Sequence, residues 1–209
     1  DKSKYNAMKK LFLILLAIVS MAVSGEAQLK ETFDSNSWGW TEQFTDEGKI
    51  YIVNGVLRFQ IDSETGVKYE ELAEKFSSHA YLPIDLKKGF TITCDATADK
   101  ISDDKYFGVI LDYHDDMNFM AFLMKKNWAY LYKITEGKRT HRWKGQLHLP
   151  KQTKAKLDIK IEYQGGDLKI RVDDMPTIDA RDVLIDYNGF GFFAVGDIKV
   201  DFDNVEIVD

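Results

Sequence analysis

Near the end of this 209-residue chain, Asp201, Asp203 and Glu206 stand in the string Asp201-Phe202-Asp203-Asn204-Val205-Glu206. Cleaving a glycosidic bond with retention needs two carboxylates about 5 Å apart, one a nucleophile and the other an acid and base. A strand sends alternate side chains to one face, so Asp201 and Asp203 qualify directly, and Glu206 joins them only if one residue is absorbed between. The competing reading is structural. Ile198, Val200 and Phe202 share one parity and Val205 and Ile207 the other, so both apolar sets stay inside only with a β-bulge near Asp203 or Asn204. That bulge by itself turns the three carboxylates outward together.

Aromatic side chains offer a different chemistry. Trp128, Tyr130 and Tyr132 share one face of a strand, and Asn118, Met120 and Phe122 share a face of the strand before it. Sugar rings carry apolar C–H faces that pack on aromatic rings, while nearby polar groups fix the hydroxyls, so such a strip can line a glycan groove. The same strip can equally be half of a core. Thr140-His141-Arg142-Trp143-Lys144 mixes cations with an indole and reads as an exposed loop or edge strand, with Trp143 as a rim contact or a packing residue.

Asp112, Asp115 and Asp116 flank His114 at a strand end. Carboxylates and a carbonyl there suit Ca²⁺, which takes oxygen ligands, and Asn118 adds another; the alternative is a turn, which Asp and Asn favour by bonding their own backbone. A cation joining sheet ends through Asp34 and Asp203 or Asn204 is the other metal candidate. The four histidines (79, 114, 141, 148) have no zinc spacing, and neither a Gly-x-Ser-x-Gly elbow nor a phosphate loop is present. No cofactor is expected beyond Ca²⁺.

The elements that must position these residues are strands. From Tyr106 to Val208, alternating apolar and polar residues are broken every 8 to 12 residues by Gly, Asp or Asn, the pattern of an antiparallel two-sheet sandwich. Asn54-Gly55 joins Ile50–Val53 to Val56–Ile61 as a hairpin, and Gly165-Gly166 joins a second. Met117–Met124 and Trp128–Ile134 are apolar on both faces, which predicts central strands covered on both sides or strands with one face in a groove. The segment from Val67 to Phe76 reads as a short helix or a crossover loop.

The start of the chain reads as an address. Lys9 and Lys10 precede an apolar run from Leu11 to Val23 and the small-residue site Gly25-Glu26-Ala27, which predicts a secretory signal peptide over residues 1–27. The run is too short for a permanent span, so no membrane span is expected in the mature chain, residues 28–209, read as one domain. The removed segment is net +2, which takes the charge from −6 to −8 and argues against nucleic-acid partners. The single cysteine, Cys94, forms no intramolecular disulfide, so the core alone must hold the domain. The expected location is exported, either periplasmic or secreted.

Taken together, Tyr106-Phe107-Gly108-Val109-Ile110, Asp115-Asp116-Met117-Asn118-Phe119 with Phe122, Ala129-Tyr130-Leu131-Tyr132-Lys133, Trp143, Gly189-Phe190-Gly191 and Phe202-Asp203-Asn204-Val205 resemble the concanavalin A-like lectin/glucanase superfamily, and within it laminin-G-like bacterial extracellular domains. Phe33-Asp34 with Trp38, and Val53-Asn54-Gly55-Val56-Leu57, resemble its opening strands. The resemblance implies an all-β jelly roll of two curved antiparallel sheets, with any sugar site on the concave face or its rim. It also implies that Asp201-x-Asp203-x-x-Glu206 mimics the Glu-x-Asp-x-x-Glu strand of the retaining glucanases, with a shorter first carboxylate and a terminal position. In non-catalytic relatives that strand closes the sheet beside the N-terminal one, and Trp143 matches a packing tryptophan.

The expected function is a non-catalytic extracytoplasmic jelly roll that binds carbohydrate, with Trp128, Tyr130, Tyr132, Asn118 and Trp143 as its contacts. The alternatives are a glycoside hydrolase of the glucanase or 3-keto-disaccharide type, and a structural or extracellular-protein-binding module of the laminin-G kind.

Overall fold

The computed structural model describes residues 28–63, 68–99, 101–147 and 154–209. The signal peptide expected over residues 1–27 lies outside the described residues, as do Val67 and His148. In chain order the strands are β1 (Gln28–Glu31), β2 (Gln43–Thr45), β3 (Gly48–Val53), β4 (Val56–Ile61), β5 (Ser77–Tyr81), β6 (Phe90–Asp99), β7 (Tyr106–Asp115) and β8 (Asn118–Lys125). They continue as β9 (Trp128–Thr135), β10 (Lys138–Gln146), β11 (Lys154–Gln164), β12 (Asp167–Val172), β13 (Met175–Ala180), β14 (Gly189–Val195) and β15 (Ile198–Val208).

They form two antiparallel sheets. The back sheet runs β13-β12-β11-β6-β15-β4-β3-β2, with β1 also on β15; the front sheet runs β10-β9-β8-β7-β14-β5. Back-sheet strands alternate as the sequence predicts: β6 is buried at every second residue from Phe90 to Ala98, and the intervening side chains are partly exposed. The central front-sheet strands do not alternate, because both of their faces are covered; β8 is buried from Phe119 through Met124 and β14 throughout, whereas the edge strand β10 is largely exposed.

The core lies between the sheets and is aromatic at its centre. Phe192 of β14 stacks on Phe202 of β15 with ring centroids 4.1 Å apart, and Phe107 of β7 meets Phe202 edge-on at 6.0 Å. Register then assigns the rest: Phe107, Val109 and Leu111 pair with Met124, Phe122 and Met120, which pair with Ala129, Leu131 and Lys133. Paired residues share a face, so this set points at the back sheet. Trp128, Tyr130 and Tyr132 therefore point the other way, to the outer face of the front sheet. Where β10 approaches β13, a side chain at Gly145 would lie 1.5 Å from the Thr177 carbonyl, so only glycine lets the sheet edges meet.

The closing strand behaves as its parity requires. β15 pairs with β4 from Ile198 to Phe202 and with β1 from Val205 to Val208, and its register against β6 slips between Asp203 and Glu206. Asn204 takes a left-handed φ of 50° at the slip. The bulge keeps Val200, Phe202, Val205 and Ile207 buried as β15 changes partner. The Asn54-Gly55 hairpin forms with positive φ at both residues, 51° and 73°. The segment expected as helix or crossover is a 3₁₀ turn, Tyr69–Glu71, running into a single helical turn α1, Leu72–Lys75. Leu72, Ala73 and Phe76 are buried.

Candidate outer-face site of the front sheet

Three cations from β10 lie over the three aromatic rings of β9. Lys144 Nζ is 3.4 Å from the Trp128 ring centroid, the Arg142 guanidinium is 5.1 Å from that of Tyr130, and the Arg139 guanidinium is 5.1 Å from that of Tyr132. The antiparallel register explains the geometry. Arg142 is opposite Tyr132 and Lys144 opposite Tyr130, so each leans diagonally onto the next ring of the same face. Arg139 has the wrong parity for this face. A bulge between Arg139 and His141 restores it.

Along β9 the rings pass from exposed to covered. Trp128 is 40% exposed and Tyr132 only 2%. Tyr130 lies parallel to Tyr132 at 5.8 Å. Tyr132 is covered by Tyr69, whose ring stacks on it at 4.7 Å, while Lys125 Nζ donates to the Tyr69 hydroxyl at 2.8 Å and lies 4.6 Å from the Tyr106 centroid. Burial, with the Tyr69 ring beside it, pushes the Tyr132 hydroxyl up to about 12. An open cleft of about 540 Å³ lies beside this cover, lined by Lys68, Glu70, Glu71, Gly137, Lys138 and Arg139.

Two of the expected glycan contacts fall elsewhere. Asn118 has the parity of Met120 and Phe122, which face the back sheet; its amide accepts from the Glu136 N–H and donates to Asp115, tying two turns together. The sequence expectation placed Asn118 beside the β9 rings because pairing register cannot be read from one strand's parity. Trp143 is opposite Leu131, also on the inward side, where it packs against the core and stacks on His141 at 5.6 Å. It stays partly buried there, on the face away from the β9 rings.

At the far end of the outer face, His79 and Tyr81 of β5 meet Tyr113 of β7. His79 lies tilted against Tyr113 with ring centroids 4.0 Å apart, and the Tyr113 hydroxyl donates to Asp116 at 2.9 Å. Burial lowers the His79 pKa from its ordinary 6.5, with Asp116 pulling the other way, and burial raises that of Tyr113. The Nδ1 of His79 finds no hydrogen-bond partner among the described residues.

The carboxylate string lies on the opposite side of the molecule. Asp201, Asp203 and Glu206 point outward from the back sheet. Arg58 grips both Asp201 oxygens, Nε at 2.7 Å and a terminal nitrogen at 2.8 Å, and that hydrogen bond raises the guanidinium pKa above its usual range. Asp203 accepts from the Asn204 N–H, and Glu206 from the Gln28 amide. The depression there, about 110 Å³, is lined by Asp201, Asp99, Thr97, Lys154 and Lys199. Each carboxylate of the string is engaged by a protein donor on the outer side of the back sheet.

The acidic turn is likewise engaged with protein. Asp112, 3% exposed and with a left-handed φ of 51°, pairs with Lys133 at 3.0 Å and accepts the N–H groups of Asp186 and Tyr187 at 2.7 and 2.8 Å. Asp115 accepts from Met117 N–H and Asn118, Asp116 from Tyr113, and Asp34 from the Thr32 hydroxyl. Among the described residues no three His, Cys, Asp or Glu side chains converge to hold a metal ion. The metal candidates Asp112, Asp115, Asp116, Asp34 and Asp203 are thus distributed among turns and strand ends.

Arg142 and Lys144 belong to a wider surplus of cations in this region. Residues 118–146 hold seven lysines and arginines (Lys125, Lys126, Lys133, Lys138, Arg139, Arg142, Lys144) against one carboxylate, Glu136, in a chain of net charge −6. That imbalance was visible in the sequence.

No protein-family model matches the sequence, and no curated protein matches it. Solved structures share its shape. The β-glucanase of Bacillus licheniformis superposes with a TM-score of 0.61 at 10% identity, covering 89% of this chain and 100% of that one. The catalytic domain of an endo-1,3-β-glucanase (laminarinase) from Thermotoga petrophila gives 0.57 at 11% identity, covering 88% and 99%. A Bacillus subtilis protein of unknown function with a galectin-like fold gives 0.56 at 11%, covering 88% and 97%. The chain has the all-β, two-sheet jelly-roll fold of these structures. At these identities the likeness defines the fold and leaves the activity to the site. Among the described residues no helix is long and apolar enough to cross a membrane.

Proposed function

We propose that this protein is an extracytoplasmic, non-catalytic glycan-binding jelly roll that takes its ligand on the outer face of the front sheet, at the Trp128–Tyr130 end. The observation that carries this reading is the placement of the β9 rings: they point away from the inter-sheet core, and Trp128 remains 40% exposed. A large ring held at a surface without apolar cover is the kind of group that ligands bury. The two glucanases of the same fold are enzymes, so hydrolysis is the alternative to set against binding. What favours binding is that the carboxylate string of β15 lies on the back sheet with Arg58 and Gln28, opposite the exposed ring.

Calorimetric titration against a panel of plant, algal and host polysaccharides tests the proposal. Saturable binding that weakens in Trp128→Ala, with no reducing ends released on prolonged incubation, is the expected result. Release of reducing ends by the parent protein would make it an enzyme. Export is tested separately: N-terminal sequencing of protein from the periplasm or medium is expected to begin at Gln28.

A further inference from the structure

We infer that the ligand of this face is an acidic polysaccharide, a chain bearing carboxylate or sulfate groups, held by Arg139, Arg142 and Lys144; this inference rests on the glycan-binding reading above. A neutral sugar binds an aromatic platform through the bare face of the ring. Here the faces carry cations: Lys144 over Trp128, Arg142 over Tyr130, Arg139 over Tyr132. A cation above an aromatic ring is held there by the ring's quadrupole. The rings thus orient a row of positive groups along the strand direction, and the row is what meets solvent.

Charge and exposure support the same conclusion. Arg139, Arg142 and Lys144 are all exposed. Strands β8, β9 and β10 hold no carboxylate, and the one carboxylate between Asn118 and Gln146 is Glu136 in the β9–β10 turn. The nearby Glu71 is paired with Lys68 and Lys75 at 3.5 and 3.7 Å. A row of positive groups within an acidic protein steers a ligand of the opposite sign toward it, with Glu70 and Glu71 confined to the cleft at its Arg139 end. The bulge between Arg139 and His141 strengthens the argument. Without it Arg139 would face inward, and the row would have two members. Guanidinium forks suit planar carboxylates, each accepting two parallel N–H bonds, whereas a lysine offers only a point charge.

The test is affinity electrophoresis and calorimetry on the full chain with alginate and polygalacturonate (carboxylate), dextran sulfate (sulfate), and laminarin and lichenan (neutral). The expected result is binding of acidic chains that weakens with added salt and falls by about threefold to fivefold on each of Arg142→Ala and Lys144→Ala. Circular dichroism shows whether those variants fold as the parent does. Loss of alginate binding in Arg142→Lys with dextran sulfate retained identifies carboxylate as the recognised group; binding of dextran sulfate but not of alginate or polygalacturonate by the parent identifies sulfate. Binding of laminarin or lichenan that is insensitive to salt and to Arg142→Ala, but lost in Trp128→Ala, would overturn this inference and leave the glycan-binding proposal standing. Absence of binding to all five polymers overturns both.

Discussion

Tyr69 stacks on Tyr132 with ring centroids 4.7 Å apart and 27° between their planes, so the chain covers one end of its own aromatic row. The two rings come from distant parts of the sequence, one in a 3₁₀ turn and one in the centre of β9. The consequence is a divided strip, sealed at Tyr132 and open at Trp128.

Removing the cover has a defined cost. Tyr69→Ala exposes the Tyr132 ring and removes the hydroxyl that Lys125 donates to. A loss of about 2 kcal/mol is expected from buried apolar area and ring stacking, measured as a lower urea midpoint. Tyr69→Phe keeps the stack and forfeits one part-buried hydrogen bond, so its loss should stay near 1 kcal/mol. Equal losses in the two variants would mean that the hydroxyl, not the ring, holds the segment down.

The Arg58–Asp201 pair gives a prediction about the carboxylate string. Asp201→Asn keeps the shape and removes the charge from a two-pronged contact whose side chains are only 21% and 18% exposed. A stability loss of about 1 kcal/mol is expected, with polysaccharide affinity unchanged. Loss of a measurable hydrolytic activity in this variant would return Asp201 to a catalytic role.

These residues show what the sequence carried and where it stopped. Strand parity is local, so it was enough to foresee the bulge at Asp203–Glu206 and the outward carboxylates. It also showed Trp128, Tyr130 and Tyr132 sharing a face. Pairing between strands is not local, and this is why Asn118 was grouped with rings that it backs away from. The cover by Tyr69 depends on how residues 69–75 cross the front sheet, which no periodicity encodes. The cations of β10 were legible as a charge imbalance, but their seat on the rings needs the register of β9 and β10 and a bulge in an otherwise polar strand.

Asp112 and Lys133 form the most deeply seated ion pair of the front sheet. Asp112 also terminates two backbone N–H groups of the loop before β14, so Asp112→Ala leaves those two donors without an acceptor and the Lys133 ammonium without its counter-charge, with the Leu184 carbonyl at 2.9 Å as its remaining partner. A cost of about 3–5 kcal/mol is expected from chemical denaturation. Asp112→Asn should cost less, since it retains an acceptor for the amides and tolerates the left-handed backbone. Because both oxygens of Asp112 already have protein donors, millimolar calcium is expected to leave the unfolding midpoint of the parent unchanged; an upward shift abolished by Asp115→Asn would instead indicate a cation at this turn.

His79 sets a pH dependence whose sign follows from its burial. Folding holds its pKa below the ordinary 6.5. In the unfolded chain the imidazole takes a proton as pH falls through that value, while in the folded state it resists. The stability that His79 contributes is therefore complete above pH 6.5 and declines as pH drops from there toward its folded value. His79→Phe preserves a ring against Tyr113, 4.0 Å away in the parent, and removes the titration. Comparing urea midpoints at pH 7.5 and 5.0, the parent should lose more stability than the variant on acidification. Parallel losses would show that groups other than this imidazole govern the acid response.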